Sequence, residues 1–362
     1  MPYQPVTNFV DSGGGDLGKN LITKDYFLTV YPEILNSLGN SGLIVTPELW
    51  SWGYNFNGQL GDNTNTSRST PVKTILQSGN WKSIASKRYN TAAIKTDGTL
   101  WSWGNNQNGQ LGNFSRGATA SRSTPVTTLL GGTNWKSIAS GYAYTVALKT
   151  DGTLWTWGEN FNGQLGVNDT TSRSTPVTTL LGGINWKSIA SGYGHILAIK
   201  TDGTLWCWGR NGYGNLGVND TTYRSTPVTT LLGGTNWKSI SCGDKGHTIA
   251  LKTDGTLWSW GSNVYGQLGT NDTTTRSTPV TTLLGGTNWK SIAGGGYHTV
   301  ALKTDGTLWS WGANFSGQLG INDTTSRSTP VTTLLGTTNW KSIACASSHT
   351  IALTAGQSVD FS

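Results

Sequence analysis

The chain of 362 residues predicts an all-β fold: a six-bladed β-propeller closed by pairing of its N- and C-terminal strands, behind a short non-repeating segment. Three observations predict it. Trp-x-Trp-Gly begins at Trp50, Trp101, Trp155, Trp206, Trp258 and Trp309, at spacings of 51, 54, 51, 52 and 51 residues. Asn-Trp-Lys-Ser-Ile carries Trp81, Trp135, Trp186, Trp237, Trp289 and Trp340, and the two elements hold all 18 tryptophans. Between them stands an Asp-Gly hairpin signal, as at Asp97, Asp151, Asp202, Asp254 and Asp305. A period near 51 residues filled with short strands and turns fits a propeller blade, and nothing in it sustains a helical period.

One unit shows each element in order. Trp186–Ala190 starts a strand, 191–195 bends, and Ile196–Lys200 is the second strand. Asp202-Gly203 supplies the positive φ of a tight hairpin. Leu205–Trp208 is the third strand, with Trp206 and Trp208 on one face by the period of two. A Gly-rich loop ends at Gly217, a polar loop covers 220–227, and Val228–Leu232 is the fourth strand. The chain enters the pattern at 43–52, in the place of a third strand, and leaves it after 340–353, in the place of the first two. Pairing those ends completes the sixth blade and removes two open edges.

Composition sets the outer limits. The 50 glycines are about twice ordinary usage. Hydrophobic residues make up 35% and aromatics 10%, enough apolar surface for a packed fold. No apolar run reaches the length of about 18 residues that a membrane helix needs, so no membrane insertion is expected. Met1–Val10 lacks a basic stretch followed by an apolar one, so no secretory signal is expected. Three cysteines are too few for a disulfide framework. The net charge of +7 suggests nucleic acid at first, but 17 of the 25 Lys and Arg recur at fixed repeat positions. Charge spread evenly around an array reads as a solvated face, so nucleic acid is not the expected partner.

The segments Gly53–Gly61, Gly104–Gly112 and Gly158–Gly166, all Gly-x-Asn-x-x-Gly-Gln-Leu-Gly, resemble the repeat of the regulator of chromosome condensation family. The stretches Ile189–Ile199 and Ile292–Leu302 fit the same repeat, and the resemblance runs over residues 43–354. It implies a propeller. The family's founding members have seven blades and act as exchange factors on a small GTPase. No exchange loop can be matched here, so that activity is not carried over.

Catalytic and metal chemistry find no constellation, and neither a cofactor nor a metal is expected. His195, His247, His298 and His349 share one repeat column with Asn90 and Tyr144. Equivalent positions in different blades lie too far apart to share an ion, so these side chains are expected to be half-buried and bonded to backbone. Asp169, Asp220, Asp272 and Asp323 sit in Asn-Asp-Thr-Thr loops as turn caps. Cys207, Cys242 and Cys345 are expected as small buried residues.

Function is sought where near-identical repeats differ. Two loops vary: one after Trp-x-Trp-Gly, the other before the histidine column. They supply the candidate binding residues Tyr54, Phe56, Arg88, Tyr89, Tyr142, Glu159, Phe161, Tyr193, Arg210, Tyr213, Lys245, Tyr265, Tyr297 and Phe315. Tyr and Arg are types that make adaptable recognition surfaces. Phe114–Ala120 is an insertion in the second repeat, expected as a surface loop extension. Residues 1–42 do not repeat and carry a Gly-rich linker. With Tyr26, Phe27, Leu28 and Tyr31 they are expected to form an anchor or cap on the propeller of 43–362, and Thr23 is a candidate N-cap for a helical turn. The segment looks like the short anchors that precede such repeats in tailed-bacteriophage virion proteins.

The expectation is a non-enzymatic display and binding protein located in a virion, as a tail fibre or decoration. Residues 1–42 would hold a virion structural protein, and the variable face a host-surface protein or glycan. The alternative is a cellular regulator, such as a small-GTPase exchange factor or chromatin-binding propeller, or a propeller-type enzyme inhibitor.

Overall fold

The computed structural model describes residues 48–76, 80–336 and 338–354. The anchor residues Tyr26, Phe27, Leu28 and Tyr31 and the helical turn expected at Thr23 lie outside them. The described residues are all β apart from one short 3-10 turn, Ala118–Ala120. A two-stranded sheet, β1 (Trp50–Gly53) with β2 (Arg68–Lys73), comes first. Five four-stranded antiparallel sheets follow, each in sequential strand order. The first holds β3 (Trp81–Lys87), β4 (Asn90–Lys95), β5 (Leu100–Gly104) and β6 (Arg122–Thr127). The second holds β7 (Trp135–Ser140), β8 (Tyr144–Lys149), β9 (Leu154–Gly158) and β10 (Arg173–Thr178). The third holds β11 (Trp186–Ser191), β12 (His195–Lys200), β13 (Leu205–Gly209) and β14 (Arg224–Thr229). The fourth holds β15 (Trp237–Cys242), β16 (His247–Lys252), β17 (Leu257–Gly261) and β18 (Arg276–Thr281). The fifth holds β19 (Trp289–Gly294), β20 (His298–Lys303), β21 (Leu308–Gly312) and β22 (Arg327–Thr332). A last pair, β23 (Trp340–Cys345) with β24 (Thr350–Thr354), ends the array. The first strands of the sheets converge on one axial cavity of about 100 Å³, lined by Ala85, Ser140, Ser191, Cys242, Gly294 and Cys345.

The fourth strand sits earlier than expected: Arg224–Thr229 rather than 228–232. It lies at the outer edge of its sheet, where Pro227 is tolerated because its missing N–H faces no partner. A register shift between Cys207 and Gly209 absorbs the irregularity.

The apolar core lies between blades. Tyr144, Val146 and Leu148 of one blade form a single buried cluster with Trp186, Ile196 and Trp208 of the next. Sandwiched on both faces, β8 and β12 are buried almost throughout and lose the alternation of a half-exposed strand. At the first five seams the backbone carbonyl of a Gln or Asn in one blade's Gly-rich loop receives the indole N–H of the next. Trp103 donates to Gln59 O at 2.8 Å, Trp157 to Gln110 O at 2.9 Å, Trp208 to Gln164 O at 3.0 Å, Trp260 to Asn215 O at 2.8 Å and Trp311 to Gln267 O at 2.9 Å. A Thr hydroxyl of the next blade joins the same carbonyl at most seams, as Thr91 does on Gln59 at 3.0 Å.

Part of the recurring charge is not simply solvated. Lys200 lies between the rings of Trp186 and Trp206, at 4.9 and 4.6 Å. Lys95, Lys149, Lys252 and Lys303 repeat the clamp. Each cation adds about 0.5–2 kcal/mol against an aromatic face, and its four-carbon stem covers the indoles.

Among the described residues no ladder joins the two chain ends, and residues 43–47 of the expected closing strand lie outside them. β24 and β1 stay in separate two-stranded sheets, so five whole blades run between two half-blades. Each half-blade is held by the blade beside it in sequence. Leu49 packs with Trp81 and Trp103, and Ile343 packs with Ala293, Val300 and Leu302. In a stacked array, nearest-neighbour interfaces supply most of the stability, and ring closure adds one more seam. The glycines report the open seam. A Cβ on Gly163 would press on Ser225 of the next blade, whereas one on Gly317, its repeat equivalent, would meet nothing within 4 Å.

Both glycines have positive φ, 74° and 72°. Gly317→Ala is therefore expected to cost only the backbone strain, about 1–2 kcal/mol, and Gly163→Ala clearly more, compared by urea unfolding. Equal losses would mean that the last seam is closed in solution.

Candidate functional site

The two variable loops of each repeat meet at one end of the blades because the second and third strands pair up to their tips. Asn105 N donates to Tyr89 O, Glu159 N to Ala143 O, Arg210 N to Gly194 O, Ser262 N to Gly246 O and Ala313 N to Tyr297 O. The candidate residues thus share one face.

Most of them are in mutual contact. Phe56 packs on Tyr54 at 4.7 Å between ring centroids, and Tyr54 on Tyr89 at 5.8 Å. The Arg88 guanidinium lies over Tyr89 at 4.6 Å and over Tyr142 at 4.1 Å. Tyr142 packs on Tyr193 at 4.6 Å, and Arg210 bridges Tyr193 and Tyr213 at 5.2 and 5.7 Å. A second group follows: Lys245 sits 6.0 Å from Tyr297, which packs on Tyr265 at 5.0 Å, which packs on Phe315 at 5.0 Å. The result is an arc of alternating aromatic rings and cations across the blades. Phe56 and Phe315 are about two-thirds exposed at its two ends. Burial and neighbouring phenols raise the Tyr297 hydroxyl above its ordinary range, so it stays neutral at physiological pH.

Two candidates stand apart from the ring contacts. Phe161 is 67% exposed and lies in a groove. Glu159 is half-buried, accepts from Gln164 Nε2 at 3.1 Å, and is raised above the usual carboxylate range by burial.

The histidine column is a seam device: His195, His247 and His298 are more buried than expected and reach side chains of the next blade, while His349 is half-buried as expected. His195 Nε2 lies 3.2 Å from Thr248 Oγ1, His247 Nε2 3.3 Å from Thr299 Oγ1, and His298 Nε2 3.0 Å from Thr350 Oγ1, each on the next blade. Those hydroxyls already donate to Asn215 O, Gln267 O and Gln318 O. The imidazole must therefore donate through Nε2, which leaves Nδ1 as the unprotonated nitrogen. Tyr144, in the same column, places its hydroxyl 3.0 Å from Gly192 O and 2.9 Å from His195 O.

Sequence reasoning missed one contact. Lys87 Nζ reaches across the axis to Asp244 at 2.6 Å and donates to Ser191 O at 3.2 Å. Both partners depart from the repeat. Lys87 stands where the others have Gly141, Gly192, Gly243, Gly295 or Ala346, and Asp244 lies in a loop one residue longer than that at Tyr193-Gly194. Two departures of opposite charge were the available signal. Phe114, read from sequence only as the start of a loop extension, sits at φ 73° where the other repeats place Asn63, Asn168, Asn219, Asn271 and Asn322.

The comparisons bear on this arrangement. A family model described as the RCC1-like domain matches residues 48–360. The chain belongs to the RCC1-like domain family. It is 34% identical over 311 residues to the ultraviolet-B receptor UVR8 of Arabidopsis thaliana, covering 84% of this chain and 70% of the receptor. It is 31% identical over 318 residues to the E3 ubiquitin-protein ligase HERC2 of Homo sapiens, again over 84% of this chain but only 6% of the ligase. The RCC1-like fold is matched by human WBSCR16, with a TM-score of 0.74 at 22% identity over 85% of this chain and 82% of that one. It is also matched by Prp20p of Saccharomyces cerevisiae, with a TM-score of 0.72 at 24% identity over 86% and 79%.

Burial holds the imidazoles of His195 and His298 down to about 3 and that of His247 to about 4. The unfolded chain binds these protons near pH 6.5, so the histidines favour folding fully above that pH and progressively less as pH falls toward 4. Each is expected to cost about 1.4 kcal/mol per pH unit in that window, read from melting temperature against pH. His247→Asn, matching Asn90 of the first blade, should flatten the slope. A double-mutant cycle of Lys87→Ala and Asp244→Ala should give a coupling of about 1–2 kcal/mol.

Proposed function

We propose that this RCC1-like chain is a non-enzymatic binding propeller of the cellular-regulator kind, which grips a protein partner through its aromatic–cationic face. The observation that carries this reading is the contact between side chains from many separate loops, each at a position where the repeats differ. Aromatic anchors and arginines dominate protein interfaces because they bury large area at low conformational cost. Each Arg in the arc is already stacked, so less freedom is lost on binding.

The relatives favour this reading over the virion one. UVR8 is a receptor and HERC2 a ubiquitin ligase, by name. Solved structures of the same fold concern Prp20p and its binding to Gsp1p and histones, and Kap60 bound to yeast RCC1. Protein recognition is the property taken from them. Receptor, ligase and exchange activities are not carried over.

The test is cross-linking mass spectrometry of the full chain in extracts of its native source. Partner cross-links are expected at Lys245 on the arc, not at Lys136, Lys187 or Lys238 at the other end of the blades. Replacing Arg88 and Tyr142 together by Ala should weaken capture about 30-fold or more with little change in melting temperature. Cross-links confined to the opposite end, or capture indifferent to the double substitution, would overturn the reading.

A further inference from the structure

The insertion in the second repeat builds something the other repeats lack. Its loop and the loop of the third repeat border an open groove of about 490 Å³ on the variable face, lined by Gln107, Asn108, Arg116, Phe161, Thr171 and Ser172 among others. Arg116 is exposed, its guanidinium 3.5 Å from Ser172 O. Phe161 is 67% exposed and Phe114, at the start of the insertion, 73%. Phe114 also holds a left-handed backbone, where five repeats use Asn. A bulky residue in that region is strained, and strain kept at an exposed position points to use.

Charge indicates what the groove would take. Across this face, Asp62, Asp169, Asp220, Asp272 and Asp323 are each neutralised by an Arg of the same loop, and Asp244 by Lys87. The second repeat breaks the rule: Asn113 stands where the first has Asp62, Ser115 stands where the later ones have Asp169, Asp220, Asp272 and Asp323, and Arg122 turns to the carbonyls of Ala120 and Ser121 at 3.1 Å. Among the described residues, Arg88, Arg116, Arg122, Arg210 and Lys245 carry no ion pair on this face. Glu159 is the acid left over, half-buried and raised by burial. The face is therefore cationic, and Arg116 is the charged residue among those that line the groove.

We infer that this groove docks an acidic protein segment, taking a carboxylate on Arg116 and an adjacent apolar side chain against Phe161. This deepens the reading of the face as protein-binding and rests on it. A protein segment fits better than nucleic acid because the cations are few and spaced between aromatic rings, not ranged along a continuous phosphate track.

The test uses the full chain and fluorescein-labelled peptides of twelve residues, read by anisotropy at low and physiological salt. One peptide has aspartates around a single phenylalanine. Its controls have asparagine for aspartate, or serine for phenylalanine, and a single-stranded oligonucleotide of equal length competes. The acidic phenylalanine peptide should bind about tenfold or more tightly than either control, weakening as salt rises. Arg116→Ala and Phe161→Ser, both at exposed positions, should each remove that preference without lowering the melting temperature. Equal binding of all three peptides, stronger competition by the oligonucleotide, or indifference to Arg116→Ala would overturn the inference. Loss of the peptide preference while partner cross-links still fall on Lys245 would discard the groove chemistry alone, whereas loss of both would discard the binding face.

Discussion

The molecule depends on one repeated contact: a loop carbonyl in one blade meets an indole N–H in the next. That carbonyl belongs to the Gly-Gln-Leu-Gly segment or its Gly-Asn-Leu-Gly variant, and the indole to the second Trp of Trp-x-Trp-Gly, so the two most repetitive motifs are the two halves of one seam. Gly61 shows how close the halves come, since a Cβ there would sit 2.8 Å from the Trp103 ring nitrogen. Where Ile196 takes the place of the threonine, losing the Trp208 donor would strand the buried Gln164 carbonyl without water, a cost of about 1–3 kcal/mol. Conserving this geometry from blade to blade leaves the loop tips free to differ.

Much of the fold was legible for this reason. A blade's stacking residues are local in sequence and recur, so tryptophan spacing and Asp-Gly hairpins were enough to give the strands and their order. Where reading failed, the deciding partner was distant. The fourth strand was misplaced because Pro227 argues against a strand unless its edge position is known. The closing pair was expected because two half-blades complement one another in sequence. Whether their edges meet depends on the curvature accumulated over the six intervening seams, which no local pattern encodes. The histidines were recognised as a column, but their Thr partners stand on the following blade, about 52 residues on.

The binding face was legible by a different route. Comparison among repeats within one chain marked the columns that vary, and the hairpin geometry then gathers those columns at one end. What comparison could not show was which variants touch. The stacking of Arg88 between Tyr89 and Tyr142 joins residues of two repeats, and the groove beside Phe161 needs the insertion of one repeat and the loop of the next. Glu159 was chosen as a surface contact, yet its burial and its bond to Gln164 make it part of the loop's own framework.

The ion pair across the axis has a consequence for how the chain finds its native order. Blades this alike are nearly interchangeable, and a folding chain could stack one on the wrong copy with the same seam contacts, the misassembly typical of repeat proteins. Identical seams carry no label. Lys87 and Asp244 are charged departures on opposite sides of the ring, joining residues 157 positions apart, and they meet only when the intervening blades are stacked in the right number and sequence. The pair therefore works as an address: it distinguishes the correct arrangement from a permuted one by a contact that no other pair of blades can supply.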